Sequence, residues 1–283
     1  MKKTSFFLGV FICFITLGCS KQGAMDLQSL EDAYFEVAQN TVDEPLSVVE
    51  LTEMLSNYAP KEMVDGNQKI YTFATDNEEL MVSEPKDQEG ITDILYTKHH
   101  DSNSLSVACH ISSNGADTSA SSLVLNTVDM DLFKVFAAKL NQEPSNLFDD
   151  YLSMSEKMLG DKPVTLTEIQ KSINLEPNLQ ERGTDVKYYS FEDTDLGDVL
   201  GFYVTSTSET INQLFYKSNA TGVLYNTTMA NNAVMFSLST EEATLSNQKE
   251  VMSLFDINIG DLKHLNDSFI MKPFKHEGIA NTY

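Results

Sequence analysis

Three short stretches of this chain recur, in the same order, more than a hundred residues later. Leu51-Thr52-Glu53 returns as Leu166-Thr167-Glu168, and Lys69-Ile70-Tyr71-Thr72-Phe73 as Lys187-Tyr188-Tyr189-Ser190-Phe191. Ile91-Thr92-Asp93-Ile94-Leu95-Tyr96 returns as Ile211-Asn212-Gln213-Leu214-Phe215-Tyr216. The offsets of 115, 118 and 120 grow as small loop insertions would make them grow. No one match is specific, but three in order indicate a duplicated chain, which must fold as two units on one plan.

Each unit reads as α+β. Leu51, Leu55 and Tyr58, and then Leu166, Ile169 and Ile173, fall at helical spacing, with Pro45 and Pro163 just ahead of them. Strand-like runs follow at 69–73, 79–83, 91–98, 105–111 and 121–127, and again at 187–191, 198–205, 211–217, 222–228 and 233–239. Gly66, Gly90, Gly115, Gly183 and Gly222 punctuate them with polar turns, which favours an antiparallel meander over parallel crossovers. Amphipathic patterns at 129–140 and 246–255 predict a helix closing each unit, and further helices are expected at 27–39 and 145–159. The expected fold is therefore two tandem repeats, each a helix, an antiparallel meander and a closing helix. They occupy residues 26–143 and 144–283, with Gly160-Asp161-Lys162-Pro163 the most loop-like stretch between them.

The N-terminus carries an address. Lys2 and Lys3 precede an apolar run at 6–17, long enough for a signal peptide and too short to span a bilayer. Thr16-Leu17-Gly18-Cys19-Ser20 then resembles the lipobox of bacterial lipoproteins, with a small residue directly before the Cys, although Thr16 stands where Leu is usual. The resemblance implies cleavage after Gly18, a signal peptide at 1–18, lipid on Cys19 and a short tether at 19–25. It places the body in the cell envelope, facing outward from the inner membrane on the periplasmic or cell-surface side. Buried acyl chains contribute about 0.8 kcal/mol per CH₂, so they hold a protein to a membrane that it does not cross.

Charge narrows the partners. Against 19 basic residues stand 42 acidic ones, for a net charge of −23. Such a surface repels phosphate backbones and anionic headgroups, which argues against nucleic acid and favours a cationic protein surface. Of the three cysteines, Cys13 lies in the signal run, Cys19 is the lipid site and Cys109 alone remains, so no internal disulfide is expected. Cys109 and His110 are neighbours on a strand and point to opposite faces, which rules out a nucleophile–base pair and makes Cys109 a core residue.

Catalytic signatures are scarce. No phosphate-binding glycine loop, serine elbow, paired metal histidines or CxxC occurs in the sequence. His99-His100-Asp101 reads as a solvated turn, since adjacent strand histidines diverge. Asp193, Asp195 and Asp198 depart from a calcium loop, with Gly197 at a ligand position, and read as a turn. Tyr71, Tyr96, Tyr188, Tyr189, Tyr203, Tyr216 and Tyr225 all lie on expected strands; they alternate between core and solvent, or else they form a binding face.

In layout, tandem helix-plus-sheet units resemble β-lactamase inhibitory protein and the small lipoproteins of outer-membrane assembly. That resemblance covers roughly 46–255, rests on no motif and implies a non-catalytic module whose sheet binds protein. The leading expectation is an envelope lipoprotein binding another macromolecule, with no cofactor, metal or catalytic residue assigned. A carboxylate-based hydrolase and a structural envelope spacer remain the alternatives.

Overall fold

The computed structural model describes residues 29–40, 46–87, 90–112, 115–116, 121–141, 145–160, 162–173, 175–182, 186–205, 209–230, 233–241 and 243–261. The lipobox, Cys19, Pro45 and Gly183 lie outside them. In chain order the elements are α1 (Leu30–Asn40), α2 (Val48–Met54), β1 (Lys61–Asp65), β2 (Gln68–Ala74), β3 (Glu78–Pro85), β4 (Asp93–His100), β5 (Asn103–Ser112), β6 (Gly115–Ala116), β7 (Ser122–Thr127) and α3 (Met130–Leu140). There follow α4 (Asn146–Met158), α5 (Leu166–Ser172), β8 (Asn178–Arg182), β9 (Val186–Glu192), β10 (Val199–Thr205), β11 (Ile211–Lys217), β12 (Leu224–Ala230), β13 (Ala233–Thr240) and α6 (Leu245–Asp261).

The fold is α+β, with six helices among the described residues and one antiparallel sheet of twelve strands in the order β1-β2-β3-β4-β5-β7-β13-β12-β11-β10-β9-β8. The two-residue β6 pairs with β5 off this path. The meanders expected from the turns are present, but they share one sheet. The β7 and β13 strands pair from Leu123↔Thr240 to Thr127↔Phe236 and join the two runs of six.

Local sequence sets the helix ends. Ser47 and Thr165 each accept a hydrogen bond from the backbone N–H three residues on, while Glu50 and Glu168 reach back to the cap N–H, forming a capping box at α2 and at α5. The Asp129 carboxylate caps α3 by accepting from the N–H groups of Asp131 and Leu132. Alternation along the strands does the rest. The row Tyr96, Val107, Leu123 is wholly buried, and so is Tyr216, Tyr225, Leu238. Helices cover this face: Tyr34 of α1 meets Tyr96, Phe133 of α3 meets Tyr225 and Phe236, and Phe148 of α4 meets Tyr216 and Tyr225. Phe255 of α6 packs edge-on against Phe136 of α3. No described helix packs on the other face.

The edge strands β1 and β8 are absent from the sequence reading. Lys61-Glu62-Met63-Val64-Asp65 is exposed at every position and Asn178-Leu179-Gln180-Glu181-Arg182 is rich in polar groups, so neither shows the alternation of a half-buried strand. Charge on an edge discourages pairing with other chains. Gly115 lies in β6 rather than in a turn, while Gly66, Gly90 and Gly222 hold positive φ at turns.

Candidate functional site

The face of the sheet opposite the helices carries none of the described helices and is left unassigned by the fold. Because side chains alternate, its residues are the odd partners of the buried rows. At the centre they are Ser104, Ser106 and Ala108 on β5, Ser122, Val124 and Asn126 on β7, Met235, Ser237 and Ser239 on β13, and Leu224, Asn226 and Thr228 on β12. None is charged, in a chain carrying −23. Short hydrogen bonds knit this strip. Asn226 Nδ2 donates to Thr228 Oγ1 at 3.0 Å, Gln213 Nε2 donates to Asn226 Oδ1 at 3.1 Å, and the Thr97 and Ser106 hydroxyls lie 3.0 Å apart.

Beside this strip, on β9, β10 and β11, lies an aromatic patch. The Tyr188 and Phe215 rings stack in parallel with centroids 5.8 Å apart, and Tyr203 lies 5.2 Å from Tyr188. Phe215 and Tyr188 close over Gly201, where an added Cβ would come within 2.3 Å of Phe215 Cζ and 2.8 Å of the Tyr188 hydroxyl. Gly201 is therefore the floor on which these rings rest. The tyrosines named in the sequence divide accordingly: Tyr96, Tyr216 and Tyr225 are core, Tyr189 is buried against Phe202, Tyr188 is buried to the same degree on the opposite side of the sheet, and Tyr203 and Tyr71 are half-buried.

Three polar clusters invite a catalytic reading. At one end of the open face, His110 Nδ1 lies 2.6 Å from Asp93 Oδ1, while the Ser83 and Thr92 hydroxyls donate to Asp93 Oδ2 at 3.0 and 2.9 Å. The carboxylate sits between serine and histidine, so Ser83 donates its hydrogen bond to Asp93 rather than to the imidazole, the reverse of the order in a nucleophile triad. On the helix face, Lys98 Nζ binds Asp256 at 2.8 Å, Glu31 at 3.4 Å and Glu78 at 3.8 Å. Burial raises the Glu31 pKa against the pull of Lys98, and neighbouring Asp256 and Glu78 raise it further. Burial opposes the charge on Lys98, but its bond to Asp256 and the fields of Asp256 and Glu31 prevail and raise its pKa. Their shared ammonium ties α1, β3, β4 and α6 together, which is the work of a clamp rather than of an acid–base pair.

The third cluster is internal. Asp198 is almost fully buried and accepts from the Tyr216 hydroxyl and, at 2.8 Å, from the Asn219 N–H. Burial first, and then the bond to Asp198, push the Tyr216 pKa up to about 12. Asp193 caps its own turn by accepting from the N–H groups of Asp195 and Leu196. The aspartates at 193–198 thus serve the β9–β10 loop, and His100 pairs with Asp101 at the β4–β5 turn. No group of three or more His, Cys, Asp and Glu side chains able to hold a metal ion occurs among the described residues. Cys109 lies in the core, 2% exposed and outside any disulfide, while His110 is on the open face.

The charge-free strip had a signal in the sequence, the polar members of alternating runs such as Ser122-Leu123-Val124-Leu125-Asn126, but that all four central strands would present them on one face required the sheet order. Comparison with protein-family models, with curated proteins and with solved structures finds no match.

Proposed function

We propose that this chain is a lipid-anchored envelope lipoprotein whose body binds a partner protein on the open face of its sheet, without catalysis. The observation that carries the reading is the uncharged central strip, flanked by the Tyr188, Tyr203 and Phe215 patch, in a protein otherwise dominated by carboxylates. An interface needs a core free of charge and rich in aromatic side chains, with charge kept to the rim. The acidic remainder steers a cationic partner toward that face, so association slows as salt rises.

The body is read as two tandem units. Support comes from register: Phe73, Leu80, Tyr96, Val107 and Leu123 form one cross-strand row, and Phe191, Leu200, Tyr216, Tyr225 and Leu238 form its counterpart. The capping boxes at Ser47 and Thr165 stand 118 residues apart, the same offset as Phe73 and Phe191. Glu168 therefore corresponds to Glu50, and the apparent repeat of Leu51-Thr52-Glu53 at 166–168 is displaced by three residues, nearly one helical turn.

The test is site-specific photo-crosslinking in the envelope. A photoreactive residue at Asn226 is expected to give a discrete adduct that Ser237→Arg abolishes, whereas one at Val135, exposed on α3, gives none. Adducts of equal yield from both positions would count against the open face. Intact mass of the membrane-extracted protein, beside a Cys19→Ala variant, checks the anchor separately.

A further inference from the structure

The seam between the two six-stranded runs has the geometry of a two-chain interface. In the rows compared above, Leu123 and Leu238 are counterparts, 115 residues apart. Across the seam Leu123 pairs with Thr240, and Leu125, the counterpart of Thr240, pairs with Leu238. Val124 faces Ser239, its own counterpart, so a local twofold passes between them. Such reciprocal pairing, in which one position meets a second and the second meets the first, is what joins two copies of one subunit.

The closing helices keep the same offset and are exchanged across the seam. The α3 helix begins at Met130 and α6 at Leu245, so position 133 corresponds to 248. Phe133, on the helix of the first unit, packs against Tyr151 of α4, Tyr225 of β12 and Phe236 of β13, all in the second. Gln248, on the helix of the second unit, serves the first. It accepts from the Tyr34 hydroxyl of α1 at 2.8 Å and donates to the carbonyls of Ala108 in β5 and Ser122 in β7 at 3.1 and 3.2 Å. Both side chains are wholly buried. The two helices also meet each other, with Phe136 edge-on to Phe255 and Lys139 paired with Glu250.

We propose that two copies of this chain exchange halves through this seam, giving a dimer in which each sheet joins the first unit of one chain to the second unit of the other. The inference rests on the two-unit reading. Every contact just named is non-covalent, and is the same whether its two sides come from one chain or from two. What favours the single chain is the short connection through Gln142, Glu143 and Pro144, which holds its units at an effective concentration on the order of millimolar. That advantage vanishes once a linker cannot span its sites. Deleting the three residues replaces four links, at most about 14 Å of chain, by one of about 3.8 Å. It also removes the proline that keeps α3 and α4 from running on as one helix. The α3 helix can then no longer fold back on α4, as the Phe133–Tyr151 contact requires, and β7 is closed by a second copy.

Both tests use the full chain with Cys19→Ala, which removes any lipid. Light scattering on the deletion protein is expected to read twice the mass of one chain, with an unchanged near-ultraviolet spectrum. A folded monomer overturns the proposal. A second measurement serves should the deletion not fold. A protease site placed at 142–144 of the complete chain is cut after folding, and isotope-labelled and unlabelled cut proteins are denatured together and refolded. Native mass spectrometry is expected to find labelled first halves with unlabelled second halves as often as halves of one origin. Halves that stay apart overturn the exchange. Neither result depends on what the open face binds.

Discussion

Gly201→Ala is the smallest change that interrogates the open face. An alanine Cβ there would meet Phe215 Cζ at 2.3 Å, Phe215 Cε1 at 2.8 Å and the Tyr188 hydroxyl at 2.8 Å, all well inside van der Waals contact. Phe215 cannot simply turn aside, because it is 8% exposed and stacked flat on Tyr188. Overpacking of this kind costs about 1–3 kcal/mol. Against it, removing a strand glycine gains roughly 0.5–1 kcal/mol through the unfolded chain. The net expectation is a destabilisation of about 1–2 kcal/mol, or roughly 3–6 °C in Tm for a chain of this size. Urea titration followed by far-ultraviolet circular dichroism measures it, and near-ultraviolet circular dichroism reports the tyrosine environment. The reasoning also predicts coupling: in a Phe215→Leu background the alanine finds space and its cost falls by about half or more. A stabilised Gly201→Ala protein with an unchanged near-ultraviolet spectrum, or equal costs in both backgrounds, would refute the aromatic floor.

Four further outcomes are expected. Lys98→Met leaves Glu31, Glu78 and Asp256 without their shared cation; stability should fall by about 1–3 kcal/mol, discounted for partial exposure, with the loss greatest at low salt in denaturant titrations. Because the folded pKa of Glu31 is raised, its contribution is fully present below about pH 4.5 and fades as pH rises through the shifted value, so this loss should shrink when unfolding is measured near pH 4. Ser47→Ala removes a cap from α2 and should cost about 1 kcal/mol by the same assay, without altering the open face. Tyr216 should stay protonated until about pH 12 in an absorbance titration of the folded protein, giving stability that is full below pH 10 and lost as pH rises toward 12; ionisation near pH 10 in the native state would contradict its burial beside Asp198. Cys109 should resist thiol reagents in the native state and react fully in denaturant, and rapid native labelling would place it outside the core.

The sequence was informative where an element buries one face and was silent where it does not. The Ser122–Thr127 strand and the Met130–Leu140 helix were legible because their apolar periods, 2 and 3.6, match the single face that each buries. The edge strands were invisible for the same reason, since full solvent exposure removes the constraint that creates a pattern. The joining of two meanders into one sheet was also out of reach. It depends on Leu123↔Thr240 and its neighbours, a pairing across more than a hundred residues that leaves no local trace. The candidate site was the least legible part. Serines and asparagines on the outward side of a strand look alike whether they face solvent or a partner, and only adjacency of four strands turned them into a surface. The Lys98 clamp, likewise, draws its carboxylates from α1, β3 and α6, which the chain order does not bring together.

The pairing of β13 with β7 has a consequence in time. When the first six-stranded run has emerged, β7 presents a bare row of N–H and C=O groups, and its neighbour in the finished sheet on that side, β13, is the last strand among the described residues. Emergence from the N-terminus thus leaves the future middle of the protein open longest, while both eventual rims are already in place. A chain halted anywhere before Ala233 keeps an adhesive centre, so for this fold the arrival of β13, more than the strength of any one contact, decides whether that edge is closed.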